Sequence, residues 1–442
     1  MRLLIIDPSG SALDLSYRAK VWGHQVKHFI RQTPKTEHIG RGLVDVVEAY
    51  EPWLNWADLI FSSDNTKYLR DLDARRAMGQ AVIAPSREMA EWELDRDVGM
   101  KVLRKHGIAT PPTKEFTDYD AAIAYVKKHN RRFVSKPSGS DDKALSYCAK
   151  TPADMVYMLE RWKKNNVNKT PFILQDFIDG IEMAVGGWFG PNGFNDGWCE
   201  NFEFKKLMDG DKGVATGEQG TVLRYTPRSK LAKKVLAPLT EALAAGEYVG
   251  YIDVNCIIDE KGNPWPLEFT MRPGWPTFNI QQELHEGDPV EWLLDLANGE
   301  DSLAILFDRI AIGVVLSIPD YPYSHLTRKE VIGVPIYGLT PQLQEHVHFC
   351  EVMMGKAAMD YNGKVITAEL PVTAGDYVLV MSATGRTIYD AKQACYRRLK
   401  RLMVPNSPMW RTDIGDRLSR QLPMLQEHGF AMGMEFSTSQ QP

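Results

Sequence analysis

The sequence has few cysteines, and their spacing gives them no structural role. There are five in 442 residues, an odd number, set far apart and without a Cys-x-x-Cys pair. A disulfide framework needs cysteines that can pair, and most structural zinc sites need closely spaced pairs. The sequence therefore argues against both and predicts reduced thiols in a cytoplasmic protein.

Long apolar runs and dense basic blocks are also missing. The first apolar run is interrupted at Asp7 and Pro8, which makes it too short for a signal peptide. No other run approaches the length that crosses a membrane. A net charge of -5 without a block of Lys and Arg predicts neither a nucleic-acid nor a membrane partner. With 44% hydrophobic and 25% charged residues, the chain is expected to form about three compact globular units.

The first 85 residues alternate between apolar strands and helix-like stretches, which predicts a small parallel α/β domain. The expected strands are Leu3 to Ile6, His24 to Ile30, Asp58 to Ser62 and Ala81 to Ala84. The loop that follows the first strand, from Asp7 to Ser11, is of the kind that can hold an anion with backbone N–H groups. Many α/β domains begin in this way without binding anything, so both interpretations stay open.

One continuous helical stretch is predicted from Ser86 to Gly107, because glycine and then Pro111 and Pro112 form a good stop signal. Further on, Pro191-Asn192-Gly193 predicts a hairpin between two long strands. Near the C-terminus, a helix is predicted from Ile388 to Met403.

The stretch from Gly250 to Pro276 reads as a second hairpin, with Asp253 on its first strand and Glu268 on its second. Strand pairing would bring the two carboxylates close together on one face. Such a pair needs a positive partner, and a divalent cation shared with nucleotide phosphates is one solution. The alternative is an ordinary hairpin whose acids face solvent, with Arg272 as their ion-pair partner.

Lys136 ends another apolar strand and precedes a loop of glycine and serine that contains Lys143. Such a loop could fold over phosphates while both lysines supply charge. The alternative is a solvated hairpin turn, which the motif taken alone favours.

The order of these features resembles the ATP-grasp superfamily and, more closely, the phosphoribosylamine–glycine ligase family. The resemblance runs from about Ser86 to Arg417. It rests on the following segments: Asp95-Arg96, Lys105 to Ile108, Lys136 with Lys143, Gln175 to Gly180 with Glu182, Gly213 to Gly220, Asp253, Leu267 to Phe269 with Arg272, Ser382 to Gly385, and Asp413 to Gly415.

This resemblance implies a fold of the α/β and α+β classes: an ATP-grasp fold with an N-terminal parallel α/β domain and a C-terminal mixed domain. The expected units are an N-terminal domain at 1–85, a connecting helix at 86–110, a small lid subdomain at 111–185, a core subdomain at 186–305 and the C-terminal domain at 306–442.

The resemblance also implies roles for individual residues. ATP would contact Arg96, Lys136, Lys143, Glu182 and the backbone of Gln175, Asp176, Phe177 and Ile178. Asp253 and Glu268 would bind Mg²⁺ or Mn²⁺. Arg272 and Lys143 would act on the transferred phosphate during catalysis.

The implied activity is that of an ATP-dependent ligase, which joins a carboxylate to an amine through an acyl phosphate and releases ADP and phosphate, as in purine biosynthesis. Its partners would be small-molecule carboxylate and amine substrates, and the protein would be a monomer or a small homo-oligomer.

Four departures from the family leave alternatives open. The first loop lacks the family's glycine-rich pattern with arginine, and Ser140-Asp141-Asp142 replaces its alanine-rich phosphate loop. Thr270 stands where the family has asparagine, and Gly274 to Thr277 replaces a segment that bears acids. The same reaction on a different amine or acid therefore remains possible. So does a protein of another class, a nucleotide-binding module without turnover.

Overall fold

The N-terminal residues form a five-stranded parallel sheet, as the alternation predicts. Its order is β3-β2-β1-β4-β5. The elements are β1 (Arg2–Ile6), α1 (Leu13–Val21), β2 (Gln25–Phe29), β3 (Val46–Val47), β4 (Leu59–Ser62), α2 (Leu69–Ala77) and β5 (Ala81–Ile83). The computed structural model describes residues 1–137, 147–165, 167, 171–323, 329–405 and 407–437.

The stretch after this domain forms two helices, α3 (Arg87–Leu94) and α4 (Arg96–Lys105), so the prediction of one continuous helix is corrected. Asp95 is extended and separates them. Its carboxylate accepts hydrogen bonds from the N–H groups of Asp97 and Val98 at 2.9 and 3.2 Å. An aspartate is a strong helix N-cap, and here it begins a new helix in a new direction.

A small antiparallel sheet with two helices follows. The elements are β6 (Thr113–Phe116), α5 (Tyr119–His129), β7 (Phe133–Pro137), β8 (Tyr147–Cys148), α6 (Pro152–Lys164) and β9 (Phe172–Asp176). The sheet order is β6-β9-β7-β8. Phe133, Phe172 and Leu174 point to the helices and form a separate core with them. The opposite face of this sheet carries Lys136 and Gln175.

The rest of the chain is organised around a nine-stranded sheet. Its path is β17-β16-β10-β12-β15-β20-β24-β21, with β11 paired to β10. The elements are β10 (Ile181–Gly190), β11 (Gly193–Phe194), β12 (Trp198–Glu203), β13 (Lys206–Met208), β14 (Lys212–Ala215), β15 (Gly220–Thr226), α7 (Lys230–Val235), α8 (Thr240–Ala245), β16 (Gly250–Ile258), β17 (Pro264–Thr270), α9 (Thr277–Gln281), β18 (His285–Glu286), α10 (Pro289–Ala297), β19 (Ala304–Ile305), β20 (Ile310–Ser317), α11 (Pro341–Gln344), β21 (Val347–Phe349), β22 (Val352–Tyr361), β23 (Lys364–Thr373), β24 (Tyr377–Gly385), α12 (Ile388–Leu399) and α13 (Leu418–Glu427).

Both predicted hairpins are present in this sheet. The sheet also continues past residue 305, where the C-terminal domain was expected to begin. β10 pairs with β12 beyond the Pro191-Asn192 turn, and β16 pairs with β17. β20 then pairs with β15, so the C-terminal residues extend the sheet. The N-terminal domain packs on it through an apolar cluster in which the rings of Phe61 and Phe278 stack 6.0 Å apart. None of the helices in the described ranges is both long and apolar enough to cross a membrane.

Candidate active site

Polar side chains occupy one face of the large sheet where β10, β12, β16 and β17 lie side by side. Asp253 is opposite Thr270, and Asn255 is opposite Glu268. Because side chains alternate along a strand, these four residues share one face. Asp253 and Glu268 therefore lie on the same face, as the hairpin predicts, but they are offset by two residues and have different partners.

Lys205 is the centre of this polar face. Its Nζ lies 3.0 Å from a carboxylate oxygen of Glu182, 2.8 Å from Glu203 and 3.9 Å from Glu268. Burial opposes its charge, but the surrounding carboxylates, Glu203 first, raise the pKa of Lys205 well above its usual value. The ammonium group thus holds three carboxylates together.

Arg96 reaches the same carboxylates from the first turn of α4. Its Nη2 lies 2.8 Å from Glu268 Oε2. Burial alone would raise the pKa of Glu268, but the charges of Lys205, Arg96 and Lys136 outweigh it and lower the pKa to about 2. Glu268 is therefore ionised and is surrounded by cations.

Asp253 is buried and hydrogen-bonded on the same face. Its Oδ2 accepts from Asn201 Nδ2 at 2.8 Å and from the Tyr251 hydroxyl at 3.3 Å. Burial, followed by repulsion from Glu203, raises the pKa of Asp253 to about 7. Gly186 of β10 makes room for this arrangement, because a Cβ there would lie 2.1 Å from the Tyr251 hydroxyl and 2.8 Å from Asp253 Oδ2.

Glu218 adds a further acid next to this group. It is 5% exposed, and its Oε1 has no hydrogen-bond partner among the described residues. Burial, with repulsion from Glu203, raises its pKa well above the usual value. A positive group bound nearby would stabilise the ionised form of Glu218.

Lys136 and Gln175 face the site from the small sheet. Lys136 is 8% exposed, and burial, followed by repulsion from Arg96, lowers its pKa to about 8. Gln175 is 2% exposed, and its Nε2 has no partner in the described part of the chain. A buried donor without a partner costs roughly 1–3 kcal/mol, so this amide suits a ligand that accepts a hydrogen bond.

Contacts with Arg131 and Arg132 hold the segment after Gln175 in place. Asp176 Oδ1 pairs with Arg131 Nη2 at 2.9 Å. The guanidinium carbon of Arg132 lies 3.4 Å from the centre of the Phe177 ring. Ile178 follows the strand and is partly exposed. These contacts hold the backbone in place. A segment that binds the edge of a planar ligand through its backbone needs to be fixed in this way.

Two predicted catalytic residues are not part of this cluster. Arg272 pairs with Glu93 of α3, at 3.2 Å from Nη2 to Oε1. Glu93 also accepts the Met271 N–H and lies within electrostatic range of Glu268, so Arg272 borders the cluster. Lys143 lies outside the described residues.

The oxygen atoms on the polar face suit a hard cation, although the described residues contain no group of three His, Cys, Asp or Glu side chains placed to hold a metal. Asn255 donates its amide to Glu203 at 3.0 Å, which leaves its buried Oδ1 without a partner directly across from Glu268. Carboxylate and amide oxygens are the ligands that Mg²⁺ accepts together with phosphates. Asp253, Asn255 and Glu268 therefore fit a shared metal site that needs a nucleotide to complete it.

Sequence reasoning missed Lys205, Glu203 and Glu218. The signal for the first two was present, because Asn201, Glu203 and Lys205 alternate with buried Phe202 and Phe204 along one stretch. Alternation assigns them to one face but does not identify what faces them. Glu218 had no such signal, since only the folding of the chain brings its loop to β16.

A parallel sheet domain, a small lid-like sheet and a large antiparallel sheet with cations and carboxylates between the last two define the ATP-grasp class of proteins. Residues 96–277 match the family model described as "Phosphoribosylglycinamide synthetase, ATP-grasp (A) domain". Residues 96–277 therefore form an ATP-grasp domain, and the chain resembles the phosphoribosylamine–glycine ligases.

Two kinds of relatives support this. The chain is 24% identical over 364 residues to the phosphoribosylamine–glycine ligase of Salmonella typhimurium, covering 78% of this chain and 79% of that one. The crystal structure of phosphoribosylamine–glycine ligase from Thermotoga maritima superposes with a TM-score of 0.69 at 19% identity, covering 94% and 100% of the two chains. The biotin carboxylase domain of Hydrogenobacter thermophilus 2-oxoglutarate carboxylase, solved with MgADP, ADP and bicarbonate, has a TM-score of 0.61 at 15% identity, covering 92% and 91%.

Proposed function

We propose that this protein is an ATP-dependent ligase that joins a carboxylate to an amine. A carboxylate is a poor acyl donor, so one of its oxygens first attacks the γ-phosphorus of ATP, and ADP leaves. The amine then attacks the carbonyl carbon of the acyl phosphate, and phosphate leaves. Both steps depend on positioning and on compensation of negative charge more than on a covalent group of the protein.

The observation that carries the proposal is the convergence of Arg96, Lys136 and Lys205 on one cleft between the two sheets. All three cations lower the pKa of Glu268. The triphosphate of a nucleotide carries several negative charges. Three cations at one point can orient it and stabilise its charge. The neighbouring Gln175 amide and the fixed backbone that follows it suit the adenine, and Glu182 suits the ribose hydroxyls.

Mg²⁺, if bound by Asp253, Asn255 and Glu268 together with the phosphates, would neutralise charge on the transferred group. The protein side chains do the remaining work. Arg96 and Lys136 orient the phosphates, and Lys205 keeps the carboxylates in place. Arg272, held by Glu93, would steady the transferred phosphate from the border of the cluster.

Lys136→Ala tests this proposal. Removing a charge-assisted contact to phosphate costs about 1.5–3 kcal/mol, which corresponds to about a 10- to 140-fold weaker ATP affinity. Isothermal titration calorimetry with ATP and Mg²⁺ measures it. Lys127→Ala, on the exposed side of α5 in the same unit, is the matched control and should bind normally. If both variants bound ATP with equal affinity, Lys136 would not be a nucleotide-binding residue.

A nucleotide-binding module without turnover is the second candidate. It is favoured by the pairing of Glu268 with Arg96 and by Thr270 opposite Asp253. ADP release separates the two. Mg-ATP binding without ADP release across a panel of amino acids and amines would support the module, and release with any pair of substrates would exclude it.

A further inference from the structure

A second cavity, the acceptor cavity, lies between the N-terminal loop, the end of the β16–β17 hairpin and β24. Its volume is about 390 Å³, within the range of small-molecule sites. Its polar and aromatic walls are formed by Ser9, Lys35, Trp275, Asn279, Glu351 and Tyr377.

A short series of side-chain contacts leads from this cavity to the polar face of the large sheet. The rings of Tyr377 and Tyr321 lie 5.6 Å apart, and the Tyr321 hydroxyl is 3.3 Å from Gln219 Nε2. Glu218, the residue before Gln219, influences both Asp253 and Tyr377 electrostatically. A ligand in the acceptor cavity would thus lie near the proposed site of phosphoryl transfer.

The N-terminal loop at the edge of the cavity does not offer its backbone to a phosphate. Asp7 Oδ1 accepts the N–H groups of Ser9 and Gly10 at 3.2 and 3.0 Å, and Oδ2 accepts that of Ala12 at 2.6 Å. Asp7 is fully buried, with His28 Nε2 at 3.2 Å. Burial opposes its charge, but His28 and these donors lower the pKa of Asp7 to about 2. An internal carboxylate therefore already occupies the place that an anion would take.

The opposite wall is also acidic. Glu351 Oε2 accepts the Tyr377 N–H at 3.0 Å, and the carboxylate faces Lys35 as the one cation among the lining residues that the structure describes. Burial, with repulsion from Asp376, raises the pKa of Glu351 to about 7, and Lys35 opposes this rise. A phosphate dianion here would be repelled by this carboxylate, whereas an ammonium group would stabilise it.

Buried groups without partners complete the wall. Asn279 is fully buried, and neither its Oδ1 nor its Nδ2 has a partner in the described ranges. The same holds for Trp275 Nε1. Buried polar atoms are normally hydrogen-bonded, so an unpaired amide lining a cavity indicates a polar ligand. Asn279 Oδ1 can accept from an ammonium group, and the rings of Trp275 and Tyr377 suit its positive charge.

We propose that the acceptor cavity binds an unphosphorylated amine, whose ammonium group pairs with Glu351 and Asn279, as the amine substrate of the ligase. This inference rests on the proposed function and gives its acceptor a chemical class. It departs from the phosphoribosylamine named in the relatives, because the N–H groups of the loop are already bonded to Asp7 and the cavity wall presents the carboxylate of Glu351.

Direct binding to the full chain tests the inference without requiring turnover. The probes for calorimetry are ethanolamine, putrescine, glycinamide and benzylamine on one side and ribose 5-phosphate on the other. We expect saturable binding of at least one amine and none of ribose 5-phosphate. Glu351→Gln should weaken the amine at least tenfold, while Glu345→Gln, an exposed acid nearby, should leave it unchanged.

Binding of ribose 5-phosphate, or of no amine in the panel, would overturn the inference, and both results come from the wild-type protein alone. ATP affinity measured on the same samples keeps the two proposals apart. Normal ATP binding with no amine binding removes only the acceptor assignment. If the wild-type protein does not bind ATP, the ligase proposal is contradicted instead.

Discussion

At the scale of single residues, the site is a set of charges that compensate one another before any ligand arrives. Lys205 alone contacts three carboxylates, and Arg96 contacts one of them again. Breaking up such a group costs more than its contacts suggest, because each remaining charge is left partly buried and unpaired. Asp253 differs from these residues. Among the described residues it has hydrogen bonds but no ion pair, so a bound cation would stabilise its ionised form.

Asp253→Asn should therefore retain the fold and lose activity. The amide is nearly the same size, and it removes a charge that burial and Glu203 already disfavour. Turnover should fall by roughly two or more orders of magnitude, the scale seen when one electrostatic stabiliser is removed, and the Mg²⁺ requirement should rise. ADP release at a series of Mg²⁺ concentrations measures both.

Asp360→Asn, on exposed β22, is the control and should behave as the wild type. Ordinary activity and ordinary Mg²⁺ dependence in a folded Asp253→Asn protein would show that Asp253 is structural and that the metal is bound elsewhere.

At the scale of elements, the position of Arg96 depends on how α4 packs. A Cβ at Gly99 would lie 2.4 Å from the Trp92 carbonyl oxygen and 3.1 Å from the Phe269 ring. Because residue 99 is glycine, α4 can pack closely against both α3 and β17. The Arg96 guanidinium consequently reaches Glu268 on that same strand.

Gly99→Val should push α4 away from β17. Overpacking of this kind costs about 1–3 kcal/mol, which urea denaturation can measure. ATP affinity should fall as well, because Arg96 moves with its helix. Gly217→Ala is the matched control, since nothing lies within 4 Å of a Cβ built there. A Gly99→Val protein with wild-type stability would mean that the helix has room to shift.

Some of these elements could be predicted from the sequence, and others depend on distant contacts. Alternation of apolar residues identified the parallel sheet and the hairpin that carries Asp253 and Glu268, because those patterns are local. The break at Asp95 was missed, since an aspartate can occupy a helix interior or begin a new helix. Glu268 pairs with Arg96 of α4 and with Lys205. No local sequence pattern connects either residue to β17.

At the scale of the whole molecule, a buried polar network joins the N-terminal domain to the large sheet. His348 bridges Asp14 of α1 and Ser382 of β24, at 2.7 Å to each. Ser382 donates to Glu283 at 2.6 Å, and His346 lies 2.9 Å from the same carboxylate. The orientation of the two parts therefore depends on these groups staying paired with one another.

Glu283 should make the stability of the protein sensitive to acid. Burial opposes its charge, but His346 first, then His348 and Ser382, lower the pKa of Glu283 from 4.5 to about 2. A depressed folded-state pKa gives stability that is present above pH 4.5 and is lost as the pH falls towards 2. Glu283→Gln should remove on the order of 1–3 kcal/mol at neutral pH and flatten the dependence in that window.

Urea denaturation between pH 2 and pH 7 measures this effect. The exposed neighbour Glu286→Gln is the control, and its profile should follow that of the wild type. An unchanged acid profile in Glu283→Gln would assign the loss of stability to other carboxylates.

The continuity of the large sheet across residue 305 limits how the chain can be divided. β15 pairs with β12 on one side and with β20 on the other. A fragment made of residues 96–277, the part that matches the ATP-grasp family model, would leave the second side of β15 as a bare apolar edge. Open edges of this kind template association between copies. Residues 96–277 are therefore not expected to fold as a separate unit. The C-terminal strands cover the edge of β15 and protect it from association between copies.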